Sequence, residues 1–489
     1  MLRFAQPTAL LVLVAILLAA PSSADRSARQ ATAARAWLAY GHDAQLTNFV
    51  RMPGLTPATA KRLRQVWTKK LDGWIVASPL YVSGGQGGLP RSRGAVFVAT
   101  EGGSLYALKP STGTVLWKRT LGTMVAASGC GRWGISSTPA IDLKRRVIYV
   151  ISADGWLHAL DLATGAEKPG WPIAVTVERN DAEYVWGGLR LVGSTLYVVV
   201  ASYCDAPTAQ GIGVNGRIAA IDVLRVRQVG IFDSVEGDQN LGGMWGWGGV
   251  SVDPKGRALF VGVGNSHVFD SGCNCYVDDA GHGNAMVKLS LGLRVLGWHR
   301  PPSIPRTEDS DFGSAPLLIQ PPGCPPLAFA NNKNGMMYVW NRDQLGNGTR
   351  TSMLLGGGPG FVGQPSYSPD LRMIFEGHAA IAQNGRQIGD GVAAFTIDSK
   401  CRFHLRWKRR VGFGNEPPPL ILGEVVFAPG GDAGGYRSRR THGPGALALP
   451  DAWNDLVAAD RCRRADLQRR PRRRPARVRA RAALSSVAP

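Results

Sequence analysis

The chain has 489 residues, of which 62 are Gly and 32 are Pro, and only 19% are charged. That composition suits short strands and many turns. The formal net charge of +21 is no argument for a nucleic-acid partner. From Arg437 onward 14 Arg against 4 Asp place +10 in the last 53 residues, leaving about +11 over the other 436.

Residues 1–24 read as a secretory signal: Arg3 is the positive end, Ala9 to Ala20 is apolar, and Ser22-x-Ala24 offers small residues at a cleavage site. The apolar run is too short for a bilayer, which needs ~20 residues. With no Cys before Cys130, a lipid anchor is not expected. The chain therefore reads as a bacterial, exported, periplasmic or extracellular, soluble protein and a monomer. Residues 25–37 are a linker, 38–435 a repeat domain, and 436–489 an Arg/Ala/Pro-rich tail.

The repeat is clearest between Ala95 and Leu121. Val96-Phe97-Val98-Ala99, Leu105-Tyr106-Ala107-Leu108 and Val115-Leu116-Trp117 are short β-branched or aromatic runs separated by Gly and Thr-Gly turns. Ala77 to Tyr81 adds a strand in front. First strands recur at Ser137 to Ile141 and near Leu189, Gly249, Ala315, Pro365 and Leu420. Third strands recur at Leu157 to Asp161, Ile218 to Asp222, Met286 to Leu289, Met337 to Asn341 and Phe395 to Asp398. A four-stranded sheet of this length cannot bury both faces alone, so it needs identical neighbours. The expected fold is all-β: a seven- or eight-bladed β-propeller of four-stranded antiparallel blades with Trp-containing outer strands. Val66 to Leu71 matches the outer strands at Leu116 to Leu121 and Arg406 to Val411. It is expected to be the outer strand of the last blade, latching the ring.

The strand pattern stops after Val425 to Gly431, and the tail admits three readings: a disordered basic arm, a solvated tail without a role, or a segment translated out of frame. The expectation is a disordered or out-of-frame tail, with no nucleic-acid partner. In a propeller, loops alternate between two faces. Cys130 precedes a first strand and Cys204 follows a second one, so they share a face. Cys324 and Cys401 share the opposite face. The expected disulfides are Cys130–Cys204 and Cys324–Cys401. Cys273 and Cys275, with His267 and His282 nearby, allow a Zn site as a minor alternative to thiol pairing.

Long insertions after second strands (Ser202 to Gly216, Ser266 to Gly283, Glu376 to Gly391) fall on the Cys130 face. They gather polar residues over the central axis, the expected ligand site. No Ser-His-Asp spacing, P-loop or Gly-x-Gly-x-x-Gly after a parallel strand is visible.

The run Asp154-Gly155-x-Leu157-His158-Ala159-Leu160-Asp161-x-x-Thr164-Gly165, followed by a Trp strand, resembles the PQQ repeat, over roughly residues 38–431. That repeat builds quinoprotein alcohol dehydrogenases and outer-membrane assembly scaffold proteins. Trp245-Gly246-Trp247 and Gly262-Val263-Gly264-Asn265 are similar to the dehydrogenase segment carrying the Trp that stacks on the quinone and the Asn that binds Ca²⁺. Asn332-Lys333-Asn334-Gly335 looks like the segment whose cation contacts the quinone oxygens. The resemblance therefore implies a cofactor site of Trp245, Trp247, Lys333 and Asn334, metal ligands Asn265 and Asp205, and Asp309 as proton acceptor, with Glu308 and Asp311 as alternatives. Two departures stand against it. Cys130 is followed by Gly131 where these dehydrogenases carry adjacent Cys, and their His-Asp-x-Trp-Asp run is reduced. The function expected is a non-catalytic binding or scaffold propeller with a vestigial quinone site, recognising protein or carbohydrate on its face. The alternative is a PQQ- and Ca²⁺-dependent dehydrogenase of a small-molecule alcohol or sugar.

Overall fold

The computed structural model describes residues 36–237, 241–266, 280–304, 310–355, 364–378, 391–410 and 418–428. It also describes the short strands 268–270, 275–277, 381–383, 386–388 and 457–458. Seven antiparallel sheets follow one another along the chain, which decides between seven blades and eight. Blade 1 is Leu80–Val82, Ala95–Ala99, Ser104–Leu108 and Val115–Thr120. Blade 2 is Ala140–Asp142, Val147–Ile151, Trp156–Asp161 and Ile173–Ala174. Blade 3 is Arg190–Val192, Thr195–Ser202, Arg217–Asp222 and Arg227–Asp233. Blade 4 is Ser251–Val252, Ala258–Gly262, Met286–Ser290 and Val295–His299. Blade 5 is Leu317–Ile319, Leu327–Asn331, Met336–Asn341 and Thr349–Leu354. Blade 6 is Ser366–Ser368, Met373–His378, Gly391–Ile397 and Phe403–Arg410. Blade 7 joins Leu420–Leu422, Val425–Phe427 and Val457–Ala458, with Phe49–Val50 added parallel to its first strand. The α-helix among the described residues is the single turn Pro57–Ala60.

Most second strands are apolar and buried on both faces because each sheet lies between neighbours. Leu80, Phe97 and Leu105 of blade 1 pack on Ile141, Ile148 and Leu160 of blade 2. Equivalent layers lie between blades 2 and 3, 3 and 4, 4 and 5, 5 and 6, and 6 and 7. The core is thus a ring of interblade layers rather than one centre. Outer strands are more exposed because one side meets solvent, and that of blade 5 alternates residue by residue. In blades 1, 3, 4, 5 and 6 a register shift falls at the same place between third and fourth strands, near Ala107, Ala220, Lys288, Val339 and Ala394. Such bulges raise the local twist and turn the outer strand away from the axis.

Residues 36–50 run around the middle of the ring and bond to the first strand of every blade. Ala36 and Trp37 pair with Val82 and Tyr81. The carbonyls of Leu38, Ala44, Gln45, Thr47 and Asn48 accept the N–H groups of Ile141, Val252, Leu318, Tyr367 and Ile421 at 2.8–3.0 Å. On blade 3 the guanidinium of Arg190 donates to the carbonyls of Tyr40 at 2.9 Å and Asp43 at 3.3 Å. Burial lowers the pKa of Arg190 to about 10, so it stays charged at neutral pH. Gly41, His42, Leu46 and Asn48 take positive φ of 75°, 69°, 62° and 51°. These left-handed turns let successive carbonyls aim outward at different blades.

The latch expected from Val66 to Leu71 can be followed in part, because residues 429–456 of blade 7 lie outside the described residues. Val66 to Lys69 form no strand among the described residues. Trp67 instead donates from Nε1 to the carbonyl of Pro110 at 2.7 Å and lies over Gly113. Trp117 does the same one blade on, to Leu162 at 3.1 Å over Gly165. Trp67 thus stands to blade 1 as the outer-strand Trp117 stands to blade 2, and Lys70 beside it sits in a β-bridge. Trp-bearing outer strands occur in blades 1, 4 and 6. Both expected disulfides are present, with Cα separations of 6.3 Å for Cys130–Cys204 and 5.6 Å for Cys324–Cys401.

Replacing Arg190 by Met keeps its bulk and removes its bonds to the encircling segment. The expected loss is about 2 kcal/mol, from two charge-assisted bonds partly offset by the relieved burial of a cation. Denaturant unfolding measures it, and unchanged stability would mean that the backbone bonds alone hold the segment.

Candidate functional site

Blades 4 and 5 bring four segments together on the Cys130 face. The second strand of blade 4 runs on into Val263-Gly264-Asn265, and its entry loop carries Trp245. The entry loop of blade 5 carries Ser310-Asp311, and its second hairpin carries Asn332-Lys333. Asp311 is fully buried. One carboxylate oxygen accepts the backbone N–H of Asn265 at 2.6 Å, and the other accepts Lys333 Nζ at 2.5 Å. The Asp311 carbonyl accepts the Lys333 N–H at 2.9 Å, and the side chain of Asn332 donates to the carbonyl of Ser310. The acid loop is thus fastened to the hairpin by side-chain and backbone bonds at once. Lys333 Nζ stands 5.9 Å from the centroid of the Trp245 ring, within cation–π range. The Lys333 side chain is 17% exposed, so breaking its pair would strand a charge in a poorly solvated place.

Glycine is required at 264. A Cβ there would lie 2.3 Å from a carboxylate oxygen of Asp311 and 2.8 Å from the Trp245 ring. The backbone must pass between the acid and the indole, and only hydrogen leaves room. Trp245 is half-buried, and its Nε1 is buried with no hydrogen-bond partner among the described residues. An orphaned buried donor is uncommon in a folded chain and calls for an explanation.

The structure places the other expected residues as follows. Asn334 serves its own hairpin: its side-chain oxygen accepts the Met336 N–H at 3.0 Å, and its amide donates to the Tyr338 hydroxyl at 2.9 Å. Trp247 packs on Tyr40, Leu46 and Ala315, beside the encircling segment. Asp205 lies in blade 3, next to the Cys130–Cys204 bridge, where it accepts the Ser202 hydroxyl at 2.7 Å. Glu308 and Asp309 lie outside the described residues, as do His267 and Cys273, and Cys275 is described only in its backbone. His282 packs between Phe232 and Trp298 and meets the Ser234 carbonyl at 3.2 Å. Among the described residues no three of His, Cys, Asp and Glu stand close enough to hold a metal.

Sequence reasoning missed the aromatic wall beside Trp245. Trp186 lies 6.5 Å from Trp245 between ring centroids and 5.0 Å from Trp133. Trp186 Nε1 donates to Ser202, and Trp133 Nε1 to Cys130. The disulfide therefore links the two loops against which both indoles are fixed. The signal was present: Trp133-Gly134, Trp186-Gly187 and Trp245-Gly246 each open the approach to a first strand on successive blades.

Two buried acids were also missed. Glu101 accepts the Gly134 N–H at 2.7 Å and the Ser136 hydroxyl at 2.5 Å, and burial pushes its pKa up. Glu376 of blade 6 accepts the Asn331 amide at 2.8 Å. Burial pushes its pKa well above the usual carboxylate range, and its second oxygen has no partner among the described residues.

The glucose/ethanol/alcohol dehydrogenase β-propeller domain, the PQQ family, matches residues 37–347. The quinohaemoprotein alcohol dehydrogenase ADH-IIG of Pseudomonas putida is 22% identical over 263 residues, 48% of this chain and 33% of that protein. The polyvinylalcohol dehydrogenase of Sphingopyxis sp. (strain 113P3) is 23% identical over 423 residues, 77% of this chain and 61% of that protein. The chain thus spans less than two thirds of the length of these relatives. Among solved structures, the quinohaemoprotein alcohol dehydrogenase from Comamonas testosteroni superposes with a TM-score of 0.62 at 15% identity, covering 83% of this chain and 72% of that one. A europium-containing methanol dehydrogenase superposes at 0.56 and 16%, covering 81% of each. These likenesses show the fold.

Two substitutions probe the arrangement. Gly264→Ala is expected to push Trp245 and Asp311 apart, lowering stability by about 2 kcal/mol and shifting Trp emission. Glu376 has its folded pKa raised, so its contribution to stability is full below the unfolded value near 4 and is lost as pH rises through the folded one. Glu376→Gln should therefore raise the melting temperature at pH 7–8 and leave it unchanged near pH 4, as calorimetry across that range would read.

Proposed function

We propose, for a chain that belongs to the PQQ-repeat propeller family of glucose, ethanol and alcohol dehydrogenases, that the Trp245–Lys333–Asp311 site oxidises an alcohol with a pyrroloquinoline quinone. The observation that carries this reading is the pairing of Lys333 with buried Asp311 directly over a half-buried indole whose N–H is unsatisfied. A planar quinone fits that set: an aromatic face to stack on and a cation for its oxygens. The described residues do not assemble a Ca²⁺ ligand set. Asp311 has both oxygens engaged and Asp205 is bonded to Ser202 on blade 3, so Ca²⁺ has no part in this reading.

When bound, the quinone supplies the hydride acceptor for the carbinol carbon. The chain's own work is the rest. Trp245 holds the ring plane, and Trp186 walls the site toward blade 3. Lys333 presents a fixed positive charge, kept in place by Asp311, where negative charge grows during oxidation. The substrate's hydroxyl proton passes to an acid of the 308–311 loop. Asp311 is the one that the geometry brings to Lys333, and Asp309 and Glu308 are the others of that loop. The carbinol thus loses a hydride and a proton and becomes a carbonyl. The alcohol and polyvinylalcohol dehydrogenases among the relatives support a hydroxylated substrate. Two disulfides support residence in an oxidising compartment outside the cytoplasm. No helix among the described residues is long and apolar enough to cross a membrane.

A second reading, a binding or scaffold ring with a vestigial site, is favoured by one feature. Asp311 is wholly buried with both oxygens bonded, which suits a structural brace.

Purified protein titrated with pyrroloquinoline quinone is expected to lose Trp fluorescence, and Trp245→Ala to abolish that quench. Dye-linked oxidation of ethanol or polyvinyl alcohol should then appear, and Asp311→Asn should lower kcat about 10²–10⁴-fold while the quench persists. Retained turnover in Asp311→Asn with loss in Asp309→Asn moves the proton acceptor two residues upstream. No quench and no turnover in the wild type leaves the scaffold.

A further inference from the structure

The face opposite the Trp245 site carries the turns between first and second strands and between third and fourth strands. The Cys324–Cys401 bridge between turns of these two kinds marks that shared side. Four of these turns repeat one pattern, an Asp followed by two or more cations: Asp142 with Lys144 and Arg146, Asp222 with Arg225 and Arg227, Asp253 with Lys255 and Arg257, and Asp398 with Lys400 and Arg402, each turn having a net positive charge. The acids cap their own turns, and Asp222 and Asp398 also pair with Arg225 at 3.6 Å and Arg402 at 2.9 Å. Asp142 accepts the Arg145 N–H at 3.0 Å, Asp222 that of Leu224 at 2.9 Å, Asp253 that of Ala258 at 2.9 Å, and Asp398 that of Lys400 at 2.8 Å. The cations named are all exposed. The fold therefore spends its acids on closing turns and presents its bases to solvent, in a plane around the ring.

Apolar surface lies among them. Leu224, between Asp222 and Arg225, is 64% exposed. Beside the Cys324–Cys401 bridge a cavity of about 310 Å³ has a floor of Leu327, Val339, Met353 and Phe403 under a rim of Arg350, Lys400 and Arg402. A cationic rim over an apolar floor matches a molecule with an anionic head and a hydrocarbon tail. A linear polyanion would need its cations along one groove and no apolar floor.

We propose that this face docks on an anionic phospholipid bilayer, held by the turn cations and by acyl contacts at the Arg350–Lys400 cavity, so that the Trp245 face points away from the membrane. Binding of this kind sums about fivefold in affinity per Lys or Arg near the surface and fades with salt. It requires no spanning segment and is independent of whether the Trp245 site is catalytic.

The test is co-sedimentation of the full chain with phosphatidylcholine vesicles with and without phosphatidylglycerol, at low and high salt. Binding is expected only with phosphatidylglycerol, and at least about tenfold weaker at 0.5 M salt. Lys144→Glu/Arg146→Glu and Lys400→Glu/Arg350→Glu, checked for folding by circular dichroism, should each weaken it about 25-fold or more. The corresponding Gln pairs serve if the Glu pairs misfold. Three results would overturn the proposal: no dependence on phosphatidylglycerol, a DNA duplex bound as tightly as the vesicles, or variants that bind like the wild type. The last would assign the attraction to the Arg-rich segment after residue 436.

Discussion

The ring depends on a short stretch of backbone. Between Ala36 and Val50 the chain bonds in turn to the first strand of all seven blades, five times through a carbonyl accepting a strand N–H. First strands have an open edge toward the axis, and an open edge that no partner covers is a liability. The encircling segment satisfies those edges and sets the spacing of the blades together. It does so at the expense of left-handed conformations at His42, Leu46 and Asn48, each unfavourable for an L-residue by about 1 kcal/mol. Arg190 supplies the anchor where no strand N–H reaches.

The same geometry builds the site. Blades inclined around one axis crowd their entry loops and second hairpins on one side. Neighbours in space there come from distant sequence: Asn265 meets Asp311, Asp311 meets Lys333, and Trp186 meets Trp245. Polar groups buried in such a place must satisfy one another. Most do, through Asp311 and Lys333, Glu101 and Ser136, and Asn331 and Glu376. The indole N–H of Trp245 and one oxygen of Glu376 do not.

The two faces differ for a reason rooted in turn chemistry. Tight turns between first and second strands and between third and fourth strands recruit an Asp to accept their N–H groups. The remaining turn positions are free to be basic. On the opposite face longer loops bring aromatic and acidic groups inward. One repeat thus yields a basic plane on one side and a face of aromatic and acidic groups on the other.

By itself the sequence determined the all-β class, the tandem four-stranded unit and the two disulfide pairs. Strand periodicity, turn residues and loop parity are local or follow from counting strands. It also brought Trp245, Asn265, Lys333 and the 308–311 acids into view, because each sits in a recognisable segment. Only the tertiary structure decided that Asp311 is the acid paired with Lys333, that Asn334 is spent on its own hairpin, and that Trp247 packs under the encircling segment. It alone revealed Trp186 as a wall, Trp67 as a side chain docked on blade 1, and residues 36–50 as the element common to every blade. Those are questions of which partner a group finds across blades. Two residues one position apart share every local signal, yet closure of the ring sends them to different neighbours.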